Sequence, residues 1–341
     1  MDFSTSKLFG ISNKKYVAEL LNVEKVKLKN VSSEFVPYRF EQSVKGKKRV
    51  LYNPNDAHKA ILKKIVRMIS QLYLPGYTFG GIKGRNYIDN ANVHRNNSYL
   101  LLVDIKNFFP STRDSYIYDL FKNKFEMPPD IAKIFTDLVT VPCESGEGRY
   151  LPQGYPTSPI LSFFSYLDMY EEILKVTLEN NMLFSCYYDD LTLSSNKFIA
   201  KSVKRRVTRI IQKYGFEVHP TKSRLVIKRH TKVTGVILKE NDIAAPKALL
   251  KKLHDTYNLL LSLDKNCTKY TKEEFVDVCN KLQGLISAIK SINDKKKLEM
   301  YHNTLSHIRK KYNVPYKRAN ISTSFETDYG KLIGTLPRHI S

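Results

Sequence analysis

A short apolar hairpin with two acids at its tip constrains this chain more than any other feature. Leu183–Tyr187 and Leu191–Ser195 are apolar enough to form buried strands. Between them lie Tyr188, Asp189 and Asp190. Carboxylates held among buried strands need a nearby cation, because burial disfavours their charged form. A solvated hairpin loop is the alternative interpretation, since Asp is common in such turns.

A second apolar strand, Tyr99–Asp104, also ends in a carboxylate. If one central sheet holds both strands side by side, Asp104 comes close to Asp189, and with Asp190 three carboxylates converge. Hard oxygen ligands on rigid strands suit magnesium. Two such ions recur in phosphoryl transfer, where one lowers the pKa of the attacking hydroxyl and the other neutralises the leaving pyrophosphate. The sequence therefore predicts a phosphoryl-transfer site.

Charge is distributed unevenly along the 341 residues. Thirty basic and 12 acidic side chains follow residue 200, against 26 and 21 up to that point, within a net charge of +23. A surplus of this size predicts a polyanionic partner, nucleic acid first and an anionic membrane second. A lysine-rich composition set by an AT-rich genome is the alternative explanation.

Targeting, membrane and disulfide patterns are not found in the sequence. No apolar run reaches the roughly 18 to 20 residues of a spanning helix, and the first residues lack a signal-peptide pattern. The four cysteines stand far apart without zinc spacing, which predicts reduced thiols. We therefore expect a cytoplasmic protein without membrane contact.

Changes of hydrophobic period predict a mixed α+β chain without internal repeats. Helices are expected at 14–21, 56–72, 116–125, 130–140, 158–178, 200–214, 247–263, 272–292 and 295–312. Strands are expected at 35–40, 49–52, 99–104, 183–187, 191–195, 225–228 and 233–238, the last two as a hairpin. Asp56 and Ser158 are expected to cap the helices that follow them. Glycines 80, 81 and 84 are interpreted as turns.

Several segments resemble the motifs of reverse transcriptases, and they occur in that family's order and spacing. Asp104 with Phe108-Phe109 resembles the first palm motif, and LPQGYPTSP at 151–159 resembles the second. Tyr187–Asp190 resembles the Tyr-x-Asp-Asp box, and His219–Lys222 resembles the lysine-bearing motif. Arg49–Pro54 with the following helix resembles the fingers. The resemblance covers roughly residues 30 to 240.

Two further strings resemble the retron type of reverse transcriptase. Asn90–His94 (NANVH) matches the retron Asn-Ala-x-x-His pattern, and Val233–Gly235 matches the retron Val-Thr-Gly pattern. One residue departs from the family: Tyr188 stands where retron enzymes more usually have Ala.

The resemblance implies an α+β right-hand polymerase fold with an antiparallel palm sheet. Its expected parts are an N-terminal helical extension at 1–29, fingers at 30–95, a palm at 96–240, a basic helical thumb at 241–320 and a tail at 321–341. The thumb would grip a duplex through its phosphates, with an ordinary solvated helix bundle as the alternative. Because few residues follow the last expected helix, we expect no RNase H, maturase or endonuclease segment.

The resemblance also implies roles for individual residues. The implied catalytic residues are Asp104, Asp189, Asp190 and Lys222. The implied metal ligands, for two Mg²⁺ ions with Mn²⁺ as a substitute, are Asp104, Ile105, Asp189 and Asp190. The implied nucleotide-binding residues are Lys48, Arg49, Phe109, Gln153 and Gly154. The implied RNA-binding residues are Asn90, His94, Val233, Thr234 and Gly235.

These roles have structural alternatives. Phe109, implied as a steric gate against the 2′-hydroxyl, also fits a core position, and the Pro-Gln-Gly segment also fits a plain turn. Lys222 also fits a solvated lysine, and Lys48 with Arg49 also fits the edge of a solvated hairpin. His94 also fits a hydrogen-bonding element of the architecture.

The implied reaction is RNA-directed DNA synthesis from dNTPs. The retron type further implies a cognate structured noncoding RNA as template, a 2′-hydroxyl primer and a branched RNA–DNA product (msDNA). It also implies an effector protein, a higher-order assembly with it, and antiphage defence. Two alternatives stay open: another defence-associated or abortive-infection reverse transcriptase with protein-primed or untemplated synthesis, and a scaffold that mainly binds RNA and an effector.

Overall fold

A computed structural model describes residues 1–44, 46–240, 242–266, 271–294 and 296–315. The chain divides into two compact units. One unit combines Met1–Gly81, Val103–Leu191 and Ala200–Arg224; the other combines Ile82–Leu102, Thr192–Ile199 and the chain from Leu225 onward. The expected tail at 321–341 lies outside the described residues.

The helices mostly follow the expected periodicity. They are α1 Lys14–Leu21, α2 Val31–Glu34, α3 Asp56–Ile69, α4 Tyr87–Asn92, α5 Phe108–Ser111, α6 Asp114–Asp119, α7 Pro129–Val139, α8 Ser158–Ser165, α9 Leu167–Glu179, α10 Lys201–Lys213, α11 Lys247–Lys265, α12 Lys272–Ile292 and α13 Glu299–Lys311. A π-helical turn at Leu120–Lys124 follows α6.

The strands are short. They are β1 Tyr38–Val44, β2 Lys47–Asn53, β3 Tyr99–Asp104, β4 Val141–Pro142, β5 Arg149–Tyr150, β6 Leu183–Tyr187, β7 Asp190–Ser195, β8 Arg224–Ile227, β9 Thr231–Val233, β10 Val236–Leu238 and β11 Ile243–Ala244. One sheet has the order β6-β7-β3-β8. This order confirms that the strand ending in Asp104 lies beside the acidic hairpin.

The expected hairpin between 225–228 and 233–238 is wrong. β8 pairs with β3, while β9 pairs with β10 in antiparallel register, Val233 opposite Val236. The turn between these two residues consists of Thr234 and Gly235, at φ 42° and 97°. Two consecutive left-handed residues form the type I′ turn that suits the twist of a two-residue hairpin, so the chain reverses there.

The long helix expected at 158–178 is interrupted. Tyr166 leaves the helical conformation, at φ −115° and ψ 23°, between α8 and α9. Its ring is completely buried against Phe216 and Tyr116, with centroid distances of 4.5 Å and 4.8 Å. Ser158 does not cap α8, because its hydroxyl donates to the carbonyl of Pro152 at 2.7 Å.

Other helix ends also differ from expectation. Asn55, and not Asp56, caps α3 by accepting the backbone N–H of His58 at 2.8 Å. The helix expected at 116–125 changes to the π-helical turn after Asp119. Both differences arise because pattern locates an apolar face more firmly than it locates the residue at which a helix ends.

The last three helices share one apolar core. Its buried members include Leu253 and Leu260 of α11, Leu282 of α12, and Leu305 and Ile308 of α13. A capping box between Thr271 and Glu274 begins α12. Among the described residues, no helix is long and apolar enough to cross a membrane. Cys143, Cys186 and Cys279 are free thiols, as expected, and Cys267 lies outside the described residues.

Candidate active site

The tip of the β6–β7 hairpin carries the acidic pair. Tyr188 and Asp189 form the connection, and Tyr188 has the left-handed φ of 57°. Asp190 is the first residue of β7 and, like Asp189, is half-buried. The turn therefore holds both carboxylates where they have lost part of their hydration.

Backbone hydrogen bonds fix Asp104 beside this tip. The N–H of Ile105 donates to the carbonyl of Asp189 at 3.0 Å. On the opposite side, the N–H of His219 donates to the carbonyl of Asp104 at 2.8 Å. The N–H of Asp104 itself donates to the hydroxyl of Ser223 at 3.0 Å. The end of β3 is thus held between the hairpin and the 217–223 segment.

The two carboxylates interact electrostatically. Burial raises the pKa of Asp189, and the negative charge of Asp104 raises it further, while Lys222 and Arg49 act in the opposite direction. Lys222 is half-exposed and places its ammonium 2.5 Å from Oδ2 of Asp104, which is only 8% exposed. The site therefore concentrates negative charge and draws a cation towards it.

The donor set fits a hard divalent cation. Asp104 and Asp189 supply carboxylate oxygens, and the Lys222 ammonium beside Asp104 shows that this position accepts positive charge. The side chain of Ile105 is a buried hydrocarbon without a donor atom, so only its backbone carbonyl can take part. Within the described part of the chain, no three His, Cys, Asp or Glu side chains already form a metal-binding group.

Two adjacent phenylalanines near the carboxylates differ in burial. Phe108 is 3% exposed and packs on Tyr166 and Phe216. Phe109 is only half-buried, and its ring centroid lies 6.0 Å from that of Tyr188. Phe108 therefore occupies the core position, and Phe109 lies beside the residue that precedes Asp189.

Glycines 80 and 81 lie directly against Tyr188. The N–H of Phe79 donates to the carbonyl of Cys186 at 2.9 Å, which extends the edge of β6 by a short parallel segment. A Cβ on Gly80 would lie 2.7 Å from Cδ1 of Tyr188, and one on Gly81 would lie 2.9 Å from its hydroxyl. These glycines thus form a shelf for the Tyr188 ring, a role beyond the turns that the sequence predicts.

Gly154 allows close contact between two backbone segments. It has a φ of 112°, and a Cβ there would lie 2.3 Å from the carbonyl oxygen of Tyr52. The N–H of Tyr52 donates to the carbonyl of Gln153 at 2.8 Å. The Gln153-Gly154 loop is therefore attached to the end of β2, the strand that carries Lys48 and Arg49.

Lys48 and Arg49 lie on the β1–β2 hairpin. β1 and β2 pair so that Ser43 faces Lys48 and Gln42 faces Arg49. The Lys48 side chain is 85% exposed and its ammonium lies 3.9 Å from a carboxylate oxygen of Glu41. Arg49 is also exposed, and its charge reaches Asp189.

The comparison with known families identifies the family of this chain. The family model for reverse transcriptase (RNA-dependent DNA polymerase) matches residues 36–238. The chain belongs to the reverse transcriptase family. It therefore has the α+β right-hand polymerase fold expected from its motifs, and it is an RNA-directed DNA polymerase.

Curated relatives of this reverse transcriptase are retron enzymes. It is 26% identical over 303 residues to the retron Se72 reverse transcriptase of Salmonella heidelberg (strain 579083-10). The alignment covers 83% of this chain and 76% of that relative. It is 24% identical over 304 residues to the retron Ec86 reverse transcriptase of Escherichia coli, covering 86% and 88%. The retron Ec83 reverse transcriptase of Escherichia coli is 28% identical over 206 residues, covering 57% and 65%. The first two matches each extend over more than four fifths of this chain.

A solved telomerase structure from Candida albicans with a fragment of telomeric RNA is a more distant match. The superposition covers 90% of this chain and 67% of the telomerase chain, with a TM-score of 0.45 and 13% sequence identity. A score this low supports no inference about function.

The two retron strings of this reverse transcriptase bind each other. Nδ2 of Asn90 donates to the hydroxyl of Thr234 at 3.3 Å, and that hydroxyl donates to the carbonyl of Tyr87 at 2.9 Å. Asn90 is fully buried and Val233 is 2% exposed. The β9–β10 turn is therefore locked onto α4, a contact that sequence reasoning missed because 144 residues separate the partners.

His94 is part of the same buried structure. Its Nδ1 lies 2.6 Å from the hydroxyl of Ser194, which also accepts a hydrogen bond from Nδ2 of Asn97 at 2.7 Å. His94 is fully buried, and burial lowers its pKa to about 3. Its imidazole is therefore neutral at physiological pH and is held within the buried structure by Ser194.

Proposed function

We propose that this reverse transcriptase synthesises DNA at the Asp104–Asp189 pair, with Asp190 assisting. The observation that carries the proposal is the mutual repulsion of two carboxylates beside the Lys222 ammonium. Asp104, Asp189, Asp190 and the carbonyl of Ile105 would hold two Mg²⁺ ions, for which Mn²⁺ would substitute. When bound, such ions lower the pKa of the attacking hydroxyl and neutralise the leaving pyrophosphate.

Different nucleotide-binding residues contact different parts of the dNTP. Arg49 and Lys48 hold the triphosphate from the β1–β2 hairpin, Arg49 through its bidentate fork. Gln153 and Gly154 position the incoming nucleotide from the loop attached to that hairpin. Phe109 excludes the 2′-hydroxyl, and its half-buried ring leaves one face available for that contact.

Lys222 acts as a mobile cation at the same site. Its half-exposed ammonium neutralises Asp104 when substrate is absent and is available to neutralise or protonate pyrophosphate when it leaves. An exposed lysine suits this use because its flexible stem places one compact charge at either position.

The template is a cognate structured noncoding RNA, in line with the retron relatives. A 2′-hydroxyl of that RNA primes synthesis, so the product is branched msDNA, and an effector protein completes an antiphage assembly. Since Asn90, His94 and Val233 are buried, the two retron strings support RNA binding by shaping the surface around them. Thr234 and Gly235, which are half-buried, are the members of this set that RNA can reach.

Nucleic acid bound to the protein tests the proposal. The protein is purified from its native locus, and the extracted nucleic acid is treated with RNase, DNase and a debranching enzyme. One short DNA joined to one RNA through a 2′,5′ linkage is the expected result. Heterogeneous or protein-linked DNA would identify a different defence-associated polymerase, and RNA without DNA would identify a scaffold.

An Asp189→Asn, Asp190→Asn variant from the same locus is the control. It is expected to retain the RNA and to contain no DNA. If this variant retained every cellular phenotype, catalysis would be secondary and the scaffold interpretation would replace the proposal.

A further inference from the structure

Two adjacent cavities lie beside the interlocked retron strings, and their linings include none of the three carboxylates. The first, called the basic cavity here, has a volume of about 930 Å³ and is lined by Arg95, Asn96, Lys228, Arg229, His230, Lys239, Glu240 and Asp242. The second, the apolar cavity, has a volume of about 660 Å³ and is lined by His230, Ile237, Lys239, Ala244, Ala245, Lys247, Leu250, Ile289, Asn293 and Lys296. His230 and Lys239 belong to both linings, so the two cavities are neighbours.

Lys228 builds the frame of the basic cavity. Its backbone N–H donates to the carbonyl of Ser98 at 2.7 Å, and its ammonium donates to the carbonyls of Arg95 and Glu240. Lys228 thereby ties the 95–98 segment to Glu240. Burial lowers the pKa of the Lys228 ammonium, and the negative charge of Glu240 acts in the opposite direction.

The remaining cations of the basic cavity face solvent. Arg95, Arg229 and Lys239 are exposed, and none of them takes part in an ion pair among the described residues. Of the two acids, Asp242 accepts the N–H of Ile243 at 2.8 Å through its side chain. Four cations against two acids leave an excess of positive charge, which suits phosphate groups.

The apolar cavity supplies the complementary surface. Ile289 is fully buried at its floor, and Ala245 and Leu250 are half-buried along its wall. Planar, weakly polar bases bind such surfaces, but only when they are unstacked from their neighbours. A basic cavity that shares lining residues with an apolar one therefore matches the phosphates and a base of one nucleic-acid strand.

We propose that the two cavities bind an unpaired stretch of nucleic acid, with backbone phosphates at Arg95, Arg229 and Lys239 and a base on the Ala245–Leu250 wall. This site is separate from the polymerase reaction and does not depend on the catalytic assignment. RNA and the DNA product share the required chemistry, and single strands are favoured over duplexes because a paired base cannot enter the apolar cavity.

Photo-crosslinking tests the site directly. A short oligouridine that contains 4-thiouridine is irradiated with the full-length protein, and the adducts are mapped by mass spectrometry. We expect adducts on the peptides that carry residues 228–230 and 245–250. A DNA strand with 4-thiothymidine distinguishes the product from RNA as the bound strand, and adducts with either one support the site. Adducts confined to other peptides, or equal crosslinking of a duplex, would overturn it.

Matched charge reversals separate this site from diffuse attraction. Arg229→Glu is expected to lower crosslinking about tenfold, since one phosphate contact is lost and one repulsion is added. Lys232→Glu is the control, because Lys232 is exposed three residues away and lines neither cavity. It is expected to change crosslinking less than about twofold. Equal losses in the two variants would mean that the charged surface as a whole attracts the strand.

Filling the apolar cavity tests base binding. Ala245→Trp is expected to remove the 245–250 adducts while the 228–230 adducts persist. Thermal melting checks that the Ala245→Trp variant folds. Lys247→Glu provides a second variant, because Lys247 is exposed, lines the same cavity and is the first residue of α11. Unchanged 245–250 adducts in both variants would refute the base contact. Polyglutamate carries negative charge but no bases, so displacement of the strand by polyglutamate at equal charge concentration would also refute it.

The Asp189→Asn variant keeps this test independent of the proposed polymerase function. It is expected to lose DNA synthesis and to keep all adducts at the two cavities. Loss of these adducts in Asp189→Asn would show that the crosslinked strand was held by the carboxylate site, and the proposal would fail.

Discussion

The carboxylate site and the interlocked retron strings are both built from short sequence motifs, yet they treat their polar groups in opposite ways. At the carboxylates, Asp104 and Asp189 repel each other and rely on Lys222 for charge balance. In the strings, the amide of Asn90 donates to the hydroxyl of Thr234, and that hydroxyl donates to the carbonyl of Tyr87. Unbalanced charge indicates a site prepared for a ligand, whereas hydrogen bonds between neutral groups of two packed segments indicate architecture.

The largest expected effect is that of Asp189→Asn on catalysis. DNA synthesis on a primed RNA template should fall by at least about 10²–10³-fold, because one charged group of the transition-state environment is lost. The free energy of unfolding at pH 7 should rise by roughly 1 kcal/mol or less, since the raised pKa of Asp189 means that its charge destabilises the fold. Steady-state kinetics and urea unfolding measure both quantities. A variant that is less stable and still active would contradict this account of the carboxylate site.

Phe109→Ala tests the sugar gate. Because a half-buried ring is removed, incorporation of ribonucleotides relative to deoxynucleotides should increase about 10- to 100-fold. Ratios of kcat/KM for matched dNTP and rNTP pairs provide the measurement. Phe108→Leu, a change in the adjacent core residue, is the control and should leave the ratio near its original value. Unchanged discrimination in Phe109→Ala would remove the gate assignment.

Gly80→Ala tests whether the Tyr188 ring is held by the glycine shelf. The new Cβ would lie 2.8 Å from the backbone nitrogen of Tyr188, so the hairpin must shift, at a cost of about 1–3 kcal/mol in unfolding free energy. KM for dNTPs should rise as the hairpin tip moves. In Gly284→Ala the new Cβ meets no atom within 4 Å on a helix, and that variant should be as stable as the parent or slightly more so. Similar behaviour of the two variants would contradict the shelf.

Thr234→Val tests the link between the retron strings. The swap keeps the β-branched shape but removes the hydroxyl that donates to the carbonyl of Tyr87, so the unfolding free energy should fall by about 1–2 kcal/mol. The kcat of the folded enzyme on a generic primed template should not change. Chemical denaturation measures the first quantity and single-turnover synthesis the second. A loss of kcat without a loss of stability would assign Thr234 to the reaction and weaken the contrast between the two regions.

The last expected effect is the pH dependence that His94 contributes. Its pKa is about 3 in the fold and near 6.5 in the unfolded chain, so the unfolded state binds the extra proton. The unfolding free energy should therefore be highest above pH 6.5 and fall by up to about 1.4 kcal/mol per pH unit below it. Thermal denaturation from pH 7 to pH 4.5 measures the slope. His94→Gln should flatten it, and an equal slope in that variant would show that the acid sensitivity lies elsewhere.

Local pattern accounts for much of the carboxylate site. Alternating and continuous apolar runs locate β3, β6 and β7, and the tip residues Tyr188–Asp190 follow from their turn position. The adjacency of β3 to the hairpin was expected from their shared apolar character. Local pattern predicted helix ends less well. The cap at Asn55 depends on a side-chain hydrogen bond, and the interruption at Tyr166 depends on ring packing.

The sequence by itself determined the family, the order of the motifs and the apolar strands that carry the acids, because these depend on residue types and spacing along the chain. Only the tertiary structure decided that β8 pairs with β3, that Asn90 binds Thr234 and that Gly80 supports Tyr188. Such partners lie far apart in sequence, and their choice depends on which surfaces exclude water and satisfy buried polar groups together. Periodicity reports the face that a residue occupies, whereas packing selects the residue that it contacts.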